Sequence, residues 1–271
     1  MHKILSVLFL LASLLCVREI SLLPDGKLHV YILDIGQGDS FLIVTPSGSQ
    51  IIIDGGPNQD VLEHLGGYMP FFDRTIELLV ITHPDADHIT AIPEVLNRYN
   101  VSHILLNGAV HSSGKYAQLL DAITQNHVAV LLPDPSKDIV IDGVYFDCIW
   151  PKKGIIGTTQ SVQNAQSIVL RMLYRHHSFL FTGDLTKESE NSILASGTQV
   201  SANIMSVPHH GSHTSSSTGF LLSVSPQLGI VSSGRGNPYG HPHTDVTNRY
   251  ASLGIPIKNT ATDGSISLEF D

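Results

Sequence analysis

The chain has 271 residues, 42% hydrophobic and only 14% charged, which is long enough and apolar enough for a buried core and excludes a disordered segment. Its 24 acidic against 15 basic residues give a formal net charge of −9, which argues against a broad basic surface for nucleic acid, although a local patch or bound cations would offset it. Two cysteines, Cys16 and Cys148, supply neither a disulfide framework nor a thiolate cluster, whereas 15 histidines supply abundant imidazole for metal ligation and proton transfer.

Residues 4–16 (ILSVLFLLASLLC) form an apolar run behind Lys3. The run is shorter than the ~20 residues expected of a spanning helix. Its pattern is that of a signal peptide or an uncleaved membrane anchor over residues 1–20, so the expected location is exported or membrane-anchored; a buried N-terminal helix is the alternative. Leu15 before Cys16 is a poor lipoprotein cleavage site. From residue 28 onward, LHVYILDI, SFLIVT and QIIIDGG predict three strands, with Gly36, Gly38 and Gly48 at the turns. ELLVITH predicts a fully apolar strand, followed by a helix over 92–99 and the strand SHILLNG. The spacing of Leu119, Leu120 and Ile123 predicts a helix over 115–126, and HVAVLLP a strand. IVIDGVYFDCIW, QSIVLRMLYR and SFLFTGD continue as strands, then come a helix over 187–195 and the strand ANIMSVP. Helices near 219–223 and 245–253 alternate with the strands LGIVSS and IPIKNT. No low-complexity linker divides residues 28–271, which are expected to form one domain. The expected class is α+β: two mixed β-sheets packed face to face with helices outside, an αββα sandwich.

The chemistry concentrates in His83-Pro84-Asp85-Ala86-Asp87-His88, directly after the strand ELLVIT. A strand end turning into a helix projects several side chains into one cleft. Two imidazoles and two carboxylates so close need a cation or many hydrogen bonds. The competing reading is a polar loop in which Asp87 caps a helix.

THPDADH resembles the HxHxDH signature of the metallo-β-lactamase superfamily, with Asp85 in place of the second His. DIGQGDS, IIIDGG, NAQSIVL, FTGDL, VPHHGSHTSSS and NPYGHPH follow the same order. Together they resemble the terminal metallo-hydrolase domain of the ComEC competence proteins, without that family's polytopic membrane region. The resemblance implies a metallo-β-lactamase fold and a pair of divalent cations. One would be held by His83, Asp85 and Asp184, the other by Asp87, His88, Asp184 and His209. Asp54 supports the site, and Asn164 or Ser167 stands where the family's intermediate His is expected. The HHGS motif admits either His209 or His210 as ligand. His209, the first residue after the strand, is favoured, which leaves His210 as a supporting or substrate contact. Oxygen-rich ligands favour harder ions, so Mn²⁺ or Zn²⁺ is expected.

Asp87 and His241 are the expected catalytic groups. The resemblance places His241 at the mouth of the site, where it would protonate a leaving alkoxide or bind phosphate. His243 and Arg235 are candidate substrate contacts, and Gln37 and Asp39 would border the pocket. Asp34 is a turn residue of the same hairpin. Ser212, Thr214 and Ser215 can hydrogen-bond phosphate, although Ser-rich turns are commonly plain solvated loops.

The expected function is therefore a metal-dependent phosphodiesterase or nuclease acting on DNA in competence-related uptake, through water activated by two metals. The expected partners are single-stranded DNA or another phosphodiester and a separate membrane channel protein. Two alternatives stay open: an exported hydrolase of a small ester, lactone or β-lactam, and a non-catalytic DNA-binding or assembly module for a membrane DNA channel. Oligomeric state is not indicated.

Overall fold

A computed structural model describes residues 2–152 and 164–271. The first helix, α1 (His2–Ser21), runs past Cys16 and is longer than the apolar run alone suggests. The first half supplies β1 (Leu28–Ile32), β2 (Phe41–Val44), β3 (Gln50–Ile53), α2 (Asp60–Tyr68), β4 (Thr75–Ile81), α3 (Ala86–Ile89), α4 (Ile92–Arg98), β5 (Asn100–Leu106), α5 (Gly114–Gln125) and β6 (Ala129–Leu131). The second half supplies β7 (Ile139–Ile141), β8 (Val144–Trp150), β9 (Val169–Tyr174), β10 (His177–Phe181), α6 (Lys187–Ala195), β11 (Ile204–Ser206), α7 (Thr218–Val224), β12 (Leu228–Val231), α8 (Thr244–Ser252), β13 (Ile257–Asn259), α9 (Thr260–Asp263) and β14 (Ile266–Phe270).

The strands form two seven-stranded sheets, ordered β14-β1-β2-β3-β4-β5-β6 and β13-β12-β11-β10-β9-β8-β7. Both are mixed. The first is antiparallel from β14 to β3 and parallel from β3 to β6. The second is antiparallel from β7 to β10 and parallel from β10 to β13. The expected αββα sandwich is therefore present.

Strand alternation explains the layers. Val30, Ile43, Ile51, Val80 and Leu105 of the first sheet meet Phe146, Leu170, Met172, Phe179 and Phe181 of the second in a dry central layer. On the outer face of the first sheet, Leu42, Ile52, Leu79 and Ile104 pack against α2, α4 and α5 through Leu65, Val95 and Leu119. Leu180, Met205 and Val231 do the same on the second sheet against Ile193, Phe220 and Tyr250. β3 and the second half of β4 are buried on both faces, which is why QIII and LLVI show no polar alternation. Cys16 is exposed and Cys148 buried, both free, as the composition implied.

β14 and α2 were not foreseen. β14 pairs with β1 from the far end of the chain, so nothing local announces it. α2 contains Gly66 and Gly67 and buries only Val61 and Leu65, a weak helical signal. Since β3 and β4 are parallel, α2 returns from the edge where β3 ends to the edge where β4 begins. The loops after β3, β4, β10, β11 and β12 converge at one edge, which holds the histidine motifs.

Candidate metal centre

β4 delivers Thr82 and His83 to that edge, and α3 begins three residues later with Asp85 in the N-cap position. Asp85 makes no side-chain capping bond, so the carboxylates of the motif are not consumed in ending a helix. His83 and His88 are fully buried with ring centroids 4.1 Å apart. Asp184, carried by the turn after β10, lies between them, and its backbone N–H donates to Ser167 Oγ at 3.1 Å.

The two oxygens of Asp184 face different groups. Oδ2 lies 3.6 Å from His83 Nε2 and 3.4 Å from His209 Nε2, and accepts from Asn164 Nδ2 at 3.2 Å. Asp85 Oδ2 stands 3.6 Å from the same His83 nitrogen. Oδ1 lies 3.5 Å from His88 Nε2 and 3.4 Å from His210 Nε2. Asp87 Oδ2 completes this second group, 3.5 Å from His210 Nε2 and 3.9 Å from His88 Nε2.

The expectation that His209 joins Asp87 and His88, with His210 outside the ligand set, is the reverse of this geometry. His209 and His210 are both left-handed, with φ of 52° and 53°. Two such residues in succession rotate the second side chain inward, so His210 is buried against Asp184 and Asp87 while His209 joins the His83 side. Ser212, in the same loop, is not a solvated turn hydroxyl. It is buried, and its Oγ accepts from Thr214 N and Thr214 Oγ1, bracing the loop. Ser215 is buried too and donates to the carbonyls of Pro208 and Ser212.

The remaining groups orient these side chains. Asp54 Oδ2 lies 2.8 Å from His88 Nδ1 and accepts from Thr82 Oγ1 at 2.6 Å, while Oδ1 accepts from Thr82 N at 2.8 Å. His210 Nδ1 is 2.9 Å from the Ser232 carbonyl and 3.3 Å from Asp39 Oδ1. These contacts leave each Nε2 free to face Asp184. Thr82 stands inside the THPDADH motif, but a threonine at a strand end is common and signals no role by itself; the Ser232 carbonyl carries no side-chain signal at all. Gly38, at φ 136°, lets the β1–β2 loop touch the motif: a Cβ there would stand 2.1 Å from the Asp87 carbonyl oxygen. Gln37 Oε1 accepts from Gly234 N, whereas Asp34 is exposed and its backbone N–H donates to Ser265 Oγ.

His241 sits over the mouth, its ring 5.7 Å from His209 and 6.1 Å from His210. Asn237 holds its backbone through bonds of 2.9 and 2.7 Å. His243 lies 4.9 Å further out and accepts from His213 N through Nδ1. Arg235, Asn237 and His241 line an open cavity of about 520 Å³ beside the cluster.

Burial opposes the charge of Asp184, but the imidazoles of His210, His88 and His83 outweigh it and hold its carboxyl well below the ordinary range. Burial likewise opposes charge on His88 and His210. Asp184 and Asp54 override it at His88, and Asp184 and Asp39 at His210, keeping both protonated well above the usual histidine range. Burial and the neighbouring imidazoles push His241 down to about 4, so it is neutral at neutral pH. Without a cation, protons on His88 and His210 thus balance the carboxylates.

The donor set fits divalent cations. His83 Nε2, His88 Nε2, His210 Nε2 and Asp184 Oδ1 are buried and lack hydrogen-bond partners among the described residues. His83, His88 and Asp184 present ligand atoms within 4.8 Å of one another, as do Asp87, His88 and His210. Unsatisfied buried polar atoms cost about 1–3 kcal/mol each, so their convergence has a purpose other than folding.

The model of the metallo-beta-lactamase superfamily matches residues 33–235. The chain is 27% identical over 282 residues to ComE operon protein 3 of Bacillus subtilis (strain 168), covering 98% of this chain and 35% of that protein. It is 29% identical over 249 residues to competence protein ComA of Neisseria gonorrhoeae, covering 90% and 32%. It therefore spans about a third of the length of these curated relatives. Among solved structures, the metallo-beta-lactamase fold protein YhfI from Bacillus subtilis superposes with a TM-score of 0.60 at 12% identity, covering 90% of this chain and 99% of that one, a likeness of fold alone. The matched model, the two packed mixed sheets and the buried His/Asp cluster at their common edge together make this chain a member of the metallo-beta-lactamase superfamily, with the fold of its metal-dependent hydrolases.

Proposed function

We propose that the protein is a metal-dependent phosphodiesterase that cleaves DNA during uptake. The observation that carries this reading is the divided carboxylate of Asp184. One oxygen faces His83, His209 and Asn164, the other His88 and His210, which suits two cations sharing one ligand. Asp85 and Asn164 bring oxygen-containing side chains where a zinc hydrolase of this family would use imidazole, so the set is less selective for Zn²⁺ and admits Mn²⁺ as well. Bound cations supply Lewis acidity and lower the pKa of a water, the chemistry required for in-line displacement at phosphorus.

The chain's own residues do the positioning. Asp54 and the Ser232 carbonyl fix the rings of His88 and His210. His241, neutral and above the cluster, would offer its single N–H to a non-bridging phosphate oxygen; the phosphate's charge would raise its proton affinity, so that it takes up a proton from water at its other nitrogen and can deliver one to the leaving oxygen. Arg235 at the cavity wall offers a cationic contact beside it. The likeness to a protein named for competence supports DNA as the substrate class; single-stranded DNA as the form cut and a membrane channel as partner belong to the same proposal.

The test is to purify the full chain, measure its metal content, and assay single-stranded DNA, double-stranded DNA and bis-p-nitrophenyl phosphate with Mn²⁺, Mg²⁺ or Zn²⁺. Cleavage lost in Asp184→Ala and Asp87→Ala supports the reading. Lactone or β-lactam turnover without phosphodiester cleavage refutes it.

A further inference from the structure

α1 is 20 residues long, about 30 Å as a helix; the 14 uncharged residues between Lys3 and Arg18 span about 21 Å, and snorkelling of Lys3 with local thinning of the bilayer closes the gap to its hydrocarbon core. By length and composition it can cross a membrane, and none of that span is buried against the body. Its two hydroxyls inside the apolar stretch are satisfied within the helix: Ser6 donates to the His2 carbonyl and Ser13 to the Phe9 carbonyl. A lipid environment requires that arrangement, whereas water does not. Charge is confined to the ends, Lys3 at one and Arg18 with Glu19 at the other.

The second end is built into the body. Arg18 donates to the carbonyls of Gly66 and Gly67, which the last turn of α2 leaves without helical partners. Glu19 pairs with Arg18 and accepts from Phe71 N at 2.8 Å. Pro24 then packs over Gly48, in the turn between β2 and β3. These contacts all lie where β2 ends and where β3 and β4 begin, the edge opposite the metal centre. The same edge carries Phe71 and Phe72, 66% and 60% exposed and packed edge to face, beside an exposed Leu23. Paired exposed aromatics at the foot of an apolar helix have the placement of an interfacial anchor.

We propose that α1 is retained as a bilayer-crossing anchor and that the Arg18–Glu19 clamp, with Phe71 and Phe72 dipping into the headgroup region, seats this edge on the membrane and holds the metal centre facing away from it. The seven residues of β4 separate the two edges, which puts the histidine cluster roughly 20 Å above the lipid. A substrate then reaches the site from the aqueous side, whatever bond is cut there.

The test uses the full chain in phosphatidylcholine–phosphatidylglycerol vesicles containing lipids brominated near the headgroup end of the acyl chain. In a Cys16→Ser background, a fluorophore is placed through Phe72→Cys or Tyr239→Cys; Tyr239 is exposed beside the metal edge, and Cys148 is buried. Quenching of at least twofold at position 72 and none at 239 is expected. Equal quenching, or none at 72, overturns the proposal, as does an intact mass from host membranes lacking residues 1–21. In Arg18→Ala with Glu19→Ala the chain should still float with the vesicles while the contrast between the positions shrinks. An undiminished contrast would show that the clamp does not set the orientation.

Discussion

Asp54→Asn removes one negative charge from behind the metal centre while changing almost nothing else. Asp54 has φ of 57°, a left-handed conformation that Asn tolerates, so the backbone is not penalised. The surviving carbonyl keeps one contact with Thr82. The new NH₂ group faces His88 Nδ1, which lies 2.8 Å from the carboxylate in the native protein. Two donors then oppose each other, and His88 relieves the clash by moving its proton to Nε2, the nitrogen that faces Asp184 Oδ1 at 3.5 Å. The ring can no longer act as a ligand through that atom without giving up the proton. Losing a hydrogen bond to a charged group costs about 1.5–3 kcal/mol, which is roughly 10–100-fold in metal affinity. Competition with a chromophoric chelator measures the affinity, and far-ultraviolet circular dichroism controls for folding. A folded Asp54→Asn protein that binds Mn²⁺ or Zn²⁺ within twofold of wild type would refute the role given to Asp54.

Other consequences follow from the same geometry. Gly38→Ala forces a Cβ to within 2.1 Å of the Asp87 carbonyl at a φ that L-residues avoid, so it should lower both metal content and stability, by about 1–3 kcal/mol in urea; unchanged values would mean the β1–β2 loop is free to move. Glu190, buried in α6, accepts from Ser216 N at 2.5 Å and Ser217 N at 2.8 Å, holding the loop of His209 and His210. Glu190→Gln turns an NH₂ toward one of those donors and should cost about 1–3 kcal/mol, read as a shift of the urea midpoint. The pH dependence has a definite sign. His88 and His210 are raised above the ordinary value near 6.5, so their contribution to the cation-free fold is complete below that pH and is lost as pH rises through their raised values. Asp184 is depressed, so its contribution is complete above the ordinary carboxylate range and is lost as pH falls through its lowered value. In EDTA, Tm should decline above about pH 6.5, and Mn²⁺ or Zn²⁺ should restore it most at high pH, where no proton competes for the imidazoles. An EDTA Tm that climbs steadily to pH 8 would contradict this.

Much of the centre was legible because its ligands are close in sequence or mark strand ends. His83, Asp85, Asp87 and His88 sit within six residues, and Asp54 and Asp184 each end an apolar run. Continuous apolar runs disclosed β3 and β4, and the 3.6 period of its buried positions disclosed α5. What stayed hidden was set by backbone twist and by distance along the chain. A strand-end rule favours His209 over His210, and only the consecutive left-handed residues reverse that choice. Ser212 reads as a polar loop hydroxyl until the loop folds back and buries it. Asn164 joins the centre across 20 residues from Asp184, and β14 reaches β1 across almost the whole chain. The N-terminal run reads as a short apolar segment, while the helix continues to Ser21 and ends in contacts with α2.

On the proposed function, the divided carboxylate of Asp184 organises a metal-dependent phosphodiesterase. The most direct test is single-turnover cleavage of end-labelled single-stranded DNA by the metal-loaded full chain, beside Asp184→Asn with its metal content measured. Strand cleavage by the native protein should stop in EDTA and return with Mn²⁺ or Zn²⁺, and fall at least a hundredfold in the variant. Cleavage that persists in EDTA or in Asp184→Asn, or a metal-loaded native protein that leaves the DNA and bis-p-nitrophenyl phosphate intact, would contradict the proposed function.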